Sequence, residues 1–206
     1  MNRSEVQRAI VETEWEMFQN VKGIGGRADC QDDNQTFLIM RLSQFDSWED
    51  NVLQSYLQDL TEAKAAGRNL VMEKYAHMME ETDPAYYEQI RKVLPPVDDV
   101  VIMLADVITE RYIAWEKEVD EKYPNVRKFG RPAEETSADG TVSIRNYLRS
   151  ELKTYSKRTL TRLLASIDSK PDINRYLVSM QKIARAYGYA SLAEAEHSLA
   201  QRMAAV

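Results

Sequence analysis

A helical hydrophobic rhythm runs along almost the whole chain, broken only at glycine and proline, and it constrains the fold more than any other feature. Apolar residues recur every three or four positions, as in Val11, Trp15 and Phe18, or Val52, Tyr56, Leu60 and Ala63. The period-two alternation of a half-buried strand appears nowhere, and no internal repeat is present. Only 7 glycines and 6 prolines occur, and they fall between the rhythmic segments, where they stop helices. The pattern predicts an all-α fold, an irregular multi-helix bundle with no significant sheet. It is read as a single helical domain over residues 1–206, with 125–141 a long loop and 172–206 a C-terminal helical hairpin.

Capping residues mark the expected helix ends. Ser4 with Gln7 reads as a capping box at the start of the first helix, which should end near Gly23. A glycine-rich turn, Gly23-Ile24-Gly25-Gly26-Arg27, leads through Cys30 to Asp33 and a helix carrying Phe37, Met40 and Arg41 to Phe45. Ser47 is the expected cap of the next helix, which stops at Gly67, and Asn69 caps the one after it. Asp83-Pro84 is a cap followed by proline at the first helical position. A long helix from about Val97 to Tyr123 buries Val97, Val100, Val101, Leu104, Val107, Ile108, Trp115 and Val119, and Pro124 ends it. Gly188 closes the penultimate helix, and Ser191 with Glu194 opens the last. Trp15, Trp48 and Trp115 lie on apolar stripes and are expected in the core.

Composition narrows the function classes. The formal net charge of -6 speaks against nucleic acid as a partner, because phosphate binding rests on a basic surface. Lys153, Lys157, Arg158 and Arg162 read as a solvated helix face. No apolar run reaches the ~18 residues of a membrane span, so no membrane partner is expected. The N-terminus is too charged for a signal peptide, and the single cysteine, Cys30, suits a reducing cytoplasm. Cofactor and oligomeric state stay open at this level.

Four groups of residues carry candidate chemistry. In the segment Gly23 to Asp33, backbone N–H groups of a glycine turn and the Arg27 guanidinium suit a carboxylate or phosphate, with Gln31 and Asp32 beside them. The segment lacks the lysine and hydroxyl of a nucleotide-binding loop. Read structurally, it is a helix connection capped by Asp32 or Asp33. Cys30 is either a nucleophile activated by Arg27 and the following helix, or a buried structural thiol; the buried reading is the expected one. Asn69, Glu73 and His77 fall four apart on one helix face behind Arg68, as an acid–base group or as a cap and a solvated face. Glu151 and Tyr155 share a face, while Arg149 lies about 200° of helical rotation away; Tyr155 either serves the ligand or bonds Glu151 structurally. No metal site is assigned. Glu194 and His197 form the single Glu-x-x-His pair, short of the two that a di-iron bundle uses, and a one-ion carboxylate site is left open.

The polar stretches resemble the uncharacterised bacterial proteins grouped as domain-of-unknown-function family 4125. The resemblance is carried by Gly25-Gly26-Arg27-Ala28, Cys30-Gln31-Asp32-Asp33, Met40-Arg41, Ser43-Gln44-Phe45, Ser55-Tyr56 and Gly67-Arg68-Asn69-Leu70. It continues through Glu73-Lys74-Tyr75, Met78-Met79, Tyr147-Leu148-Arg149, Glu151-Leu152, Thr154-Tyr155-Ser156 and Tyr187-Gly188-Tyr189. It spans nearly the whole chain and departs at Asn34, where the pattern has an aromatic residue. Some relatives appear fused to nucleotidyltransferase-like domains, which implies small-molecule metabolism and little more about activity.

The reading from the residues is a cytoplasmic small-molecule enzyme with a polar pocket between helices. Arg27, Gln31, Arg41, Arg68, Asn69, Arg149 and Tyr155 would bind an anionic substrate. Glu73, Asp32 or Glu151 would act as base, with Cys30 as a candidate nucleophile. Arg27, Arg68 and Glu73 are expected to share one pocket or hydrogen-bond network. The alternative is a non-catalytic helical binding module in which the same side chains form structural ion pairs.

Overall fold

The computed structural model describes residues 1–22, 26–135 and 141–204. Gly23, Ile24 and Gly25 of the glycine-rich turn, and residues 136–140 of the expected long loop, Gly140 included, lie outside the described residues. Among the described residues there are eleven α-helices and no strand. They are α1 (Arg3–Gln19), α2 (Asn34–Phe45), α3 (Asp50–Ala65), α4 (Leu70–Thr82), α5 (Pro84–Ile90), α6 (Asp99–Lys122), α7 (Pro124–Arg127), α8 (Ile144–Leu152), α9 (Lys157–Asp168), α10 (Arg175–Ala186) and α11 (Leu192–Ala204). The all-α bundle expected from the rhythm is what forms.

The packing follows from which helices carry apolar faces. Helix α6, the longest at 24 residues, packs against α8, α9 and α10. Helix α1 packs against α2, α3 and α4 on the other side, and α4–α8 and α3–α9 contacts join the two sides. One large core lies between them, with Ile10, Phe45, Leu53, Leu60, Ile108 and Leu160 among its fully buried side chains. A smaller core of Val119, Tyr123, Ala184, Leu192 and Ala195 seats α10 and α11 against the end of α6. Arg175 ties α10 to the rest. Its guanidinium is buried and donates to the carbonyl oxygens of Ser47 (3.0 Å) and Ser166 (2.6 Å). Among the described residues no helix is long and apolar enough to cross a membrane.

Most expected boundaries hold, and the exceptions have local causes. Asn2 rather than Ser4 caps α1: its side chain accepts from Glu5 N–H and the Glu5 carboxylate accepts from Asn2 N–H. Gln7, expected in that box, is buried and donates to Asp46 instead. Ser47 closes α2 by donating to the Gln44 carbonyl, and α3 begins later, at Asp50, with no side-chain cap. Arg3 reinforces the same corner by donating to the carbonyls of Phe45, Asp46 and Trp48. Gly67 ends the α3 segment with φ +70°, where a side chain would be strained. Val107 is exposed on α6, and Ala105 and Tyr112 occupy the core beside the expected stripe. Trp48 and Trp115 are buried as expected, and Trp15 is half-buried. The basic run divides: Lys153 is buried against Glu80, Arg158 pairs with Asp59, and only Lys157 and Arg162 are solvated.

Glu116, on α6, is fully buried, and neither carboxylate oxygen has a hydrogen-bond partner among the described residues. Burial and then Asp120 push its carboxyl up to about 7, while Arg127 and Lys117 pull against them and Glu134 adds to the rise. The folded state therefore holds a proton that the unfolded chain releases nearer 4.5. The stability this gives is complete below about pH 4.5, declines as pH rises, and is gone above about 7. Glu116→Gln should flatten that window and raise Tm at pH 8 by some degrees, at roughly 2–4 °C per kcal/mol for a chain of this size. Thermal melts of both proteins from pH 5 to 8 check it; parallel curves would refute it.

Candidate functional site

Four helices bring charges into the main core from positions that the apolar rhythm assigns to it. Glu14 follows Val11 and precedes Phe18 on α1, and Arg41 stands between Phe37 and Phe45 on α2. Lys74 stands between Leu70 and Met78 on α4, and Glu151 follows Tyr147 on α8. All four are at most 7% exposed. Unpaired, each would be costly to bury; here they form one chain.

Arg41 is its centre. Its Nε donates to Glu14 Oε2 at 2.8 Å and its Nη2 to the other Glu14 oxygen, a two-pronged pair. Its Nη1 donates to Glu151 Oε1 at 3.0 Å. Lys74 Nζ donates to Glu151 Oε2 at 3.0 Å. Tyr56 and Tyr155 hydroxyls donate at 2.6 Å to Glu14 and Glu151, and their rings lie 4.4 Å apart. Burial alone would raise the Glu151 carboxyl, but Arg41 and Lys74, with the Tyr155 hydroxyl, hold it far below the ordinary carboxylate range. Burial also opposes the Lys74 ammonium, and Glu151 and Tyr147 outweigh it, so the group is held above the ordinary lysine value. Glu151 and Lys74 therefore both stay charged through the physiological range.

Beside it lies a cavity of about 180 Å³, lined by Glu14, Arg41, Lys74 and Glu151 on the charged side. Phe18, Phe37, Tyr75, Leu70 and Val71 form an apolar wall, and Cys30, Arg131 and Tyr147 also line it. Tyr147 is shared by two cations: Lys74 Nζ lies 3.7 Å and Arg131 Cζ 4.9 Å from its ring centroid. Burial pushes the Tyr75 phenol up to about 12 against the pull of Lys74. A second hollow of about 660 Å³ near Trp48 is wide open, and its Arg3, Asp50, Glu49 and Lys170 are already paired with one another.

The sequence profile of the family described as Protein of unknown function (DUF4125) matches residues 4–197. The chain belongs to this family. No curated protein matches the chain, and no solved structure does. Residues from several of the stretches that carry the resemblance, among them Cys30, Asp33, Met40, Arg41, Lys74, Tyr75 and Glu151, line the cavity.

Of the residues singled out in the sequence, the fold brings Arg41, Glu151 and Tyr155 into the buried chain and Cys30 onto the cavity lining. The others go elsewhere. Arg27 is half-exposed and donates to Asp32, Gln19 and the Gln31 carbonyl. Gln31 is buried and closes the end of α1 by donating to the carbonyls of Phe18 (2.7 Å) and Val21 (3.1 Å). Arg68 grips buried Glu73 with two bonds, at 2.9 and 2.6 Å. Asn69 caps α4 and donates to the Met17 carbonyl. Arg149 turns to Asp106 and Glu80, on the other side of α8 from Glu151. The expected union of Arg27 with Arg68 and Glu73 is thus corrected to two separate knots, neither on the cavity lining. Each is closed because a partner lies within five residues in sequence.

Two further corrections concern reactive side chains. Cys30, expected in the core, is exposed, because the short 3₁₀ turn Asp29–Gln31 buries Gln31 instead. His77 is buried, and burial with Lys153 lowers it to about 4, so it is a neutral imidazole rather than part of a solvated face. Glu194 and His197 do not act together: Glu194 accepts from Ala190 N–H, and His197 bonds Gln201.

The cavity residues to which the sequence reading gave no role are Glu14, Lys74, Tyr75, Arg131 and Tyr147. For Glu14 and Lys74 a signal existed: a charge standing in an apolar stripe.

Two outcomes follow. Arg41→Met leaves Glu14 and Glu151 as uncompensated buried carboxylates, which should cost about 3–5 kcal/mol, or roughly 10 °C in Tm. Adding Glu14→Gln should recover part of that loss; urea denaturation at pH 7 measures both, and additive losses would contradict the coupling. Iodoacetamide should label Cys30 in the native protein at a rate within a few-fold of the denatured chain. Labelling that requires denaturant would return Cys30 to the core.

Proposed function

We propose that the cavity binds a small molecule through an anionic group and that the buried ion-pair chain is its scaffold. The observation that carries the reading is Lys74. It is a buried cation held in its charged form on the cavity wall, and among the described residues its one hydrogen bond goes to Glu151. An ammonium has three donors. Arg131 adds a second positive group on the lining.

Binding without turnover is the form of this reading that the site chemistry supports best. A general acid or base works with a pKa near the operating pH. Glu151 is held too low and Lys74 too high, and Tyr75 stays a phenol. One observation favours the enzyme expected from the sequence: Cys30 presents an exposed thiol on the lining. That thiol also supports a reducing, cytoplasmic location, since it has no partner for a disulfide.

The test is incubation with a metabolite extract, followed by mass spectrometry of what is retained and what is consumed, beside thermal shifts with single small anions. An anion at about 100 times its Kd should raise Tm by ~5 °C or more. Arg131→Ala, at an exposed position, should reduce the effect without unfolding the protein. If no anion is retained and none shifts Tm, the binding reading fails. Consumption of a retained compound would replace the binder with an enzyme.

A further inference from the structure

We infer that the ligand is a single-ring aromatic monocarboxylate, an inference that rests on the anion-binding reading and names its ligand class. Three features of the cavity select it.

The first is size. About 180 Å³ is little more than the ~150 Å³ engineered cavity that accommodates benzene. One six-membered ring with a one-carbon acid group fits within it.

The second is the shape of the apolar wall. The Phe37 and Phe18 rings stack, with centroids 5.6 Å apart and planes 13° apart. Phe18 and Tyr75 continue the row at 6.1 Å and 20°. All three line the cavity, and rings stacked in a row turn their hydrogen-bearing edges towards the space beside them. A planar ring lays its π face on such edges, an edge-to-face contact that a branched or puckered body, having no π face, cannot make.

The third is the charge pattern at the head. Lys74 and Arg131 supply the positive groups around Tyr147, and a guanidinium fork matches a planar carboxylate. The carboxylates of Glu14, Asp33 and Glu151 line the same cavity. A dianion such as phosphate would carry its second charge into their field, whereas a monoanion brings a single charge that Lys74 and Arg131 share. Ring and charge therefore act together: the wall binds the body, and Lys74 with Arg131 orients the acid.

Benzoate is the probe. Isothermal titration at low ionic strength compares it with acetate (charge without ring), benzamide (ring without charge), cyclohexanecarboxylate (charge with a puckered ring) and inorganic phosphate. Benzoate should bind roughly tenfold or more tighter than each, the scale set by burying one ring or one paired charge. It should slow Cys30 alkylation in proportion to occupancy, which locates it in this cavity. Arg131→Ala should weaken benzoate severalfold, and Phe37→Leu should bring it towards acetate. If acetate or phosphate binds as well as benzoate, the aromatic inference falls and anion binding stands. If cyclohexanecarboxylate equals benzoate, planarity is not selected and the inference also falls. If benzamide equals benzoate, the ring site stands and the anionic reading falls with the inference. If none binds, or if Cys30 is not protected at saturation, both are overturned for this cavity.

Discussion

The Glu151 carboxylate fixes the relative positions of most of the helices around the cavity. It accepts from Arg41 on α2, Lys74 on α4 and Tyr155 just beyond the end of α8, and Arg41 passes the constraint on to Glu14 on α1. Apolar packing alone tolerates a slide of one helix along another, since hydrophobic contact is non-directional. A carboxylate held by a guanidinium, an ammonium and a phenol does not tolerate it, because a shift of an ångström leaves a buried charge unpaired. The cavity inherits its shape from that fixed register.

Such a chain is a poor way to gain stability. Desolvating four ions costs several kcal/mol each, and well-packed apolar replacements are often neutral or better. Its value lies in what it holds in place. Lys74 is charged and buried at the edge of a space rather than inside packed side chains, and it is the neighbouring carboxylate that keeps it so. The same pairing that fixes the helices thereby presents a cation to the cavity.

The fold was legible because helix periodicity and glycine–proline punctuation are local, and each expected element could be judged within a dozen residues. The site was legible only in part. Arg41, Glu151 and Tyr155 were identified as polar residues of interest, but their partners lie far away in sequence: 27 positions separate Arg41 from Glu14, and 110 separate it from Glu151. Nothing in a local pattern pairs them. The error ran the other way for Arg27 and Arg68. Both stand among caps and glycines that look like an anion site, yet each has a carboxylate five residues on, and the short loop closes before any distant group arrives. A more telling local signal was a charge where the apolar stripe demands a hydrophobe. By that signal Glu14 and Lys74 stand out, while Arg27 does not.

That signal also explains why a cavity lies beside the chain instead of more packed side chains. An ammonium has three protons, and Glu151 takes one. The faces of Tyr147 and Tyr75 satisfy the cation electrostatically, but they accept no strong hydrogen bond. Filling the remaining volume with a leucine or a phenylalanine would seal the other donors away from any acceptor, at the full desolvation cost of a charged group. Space next to Lys74 is therefore required by the same buried charge that orders the helices. Phe18, Phe37 and Tyr75 decide what kind of body can share that space.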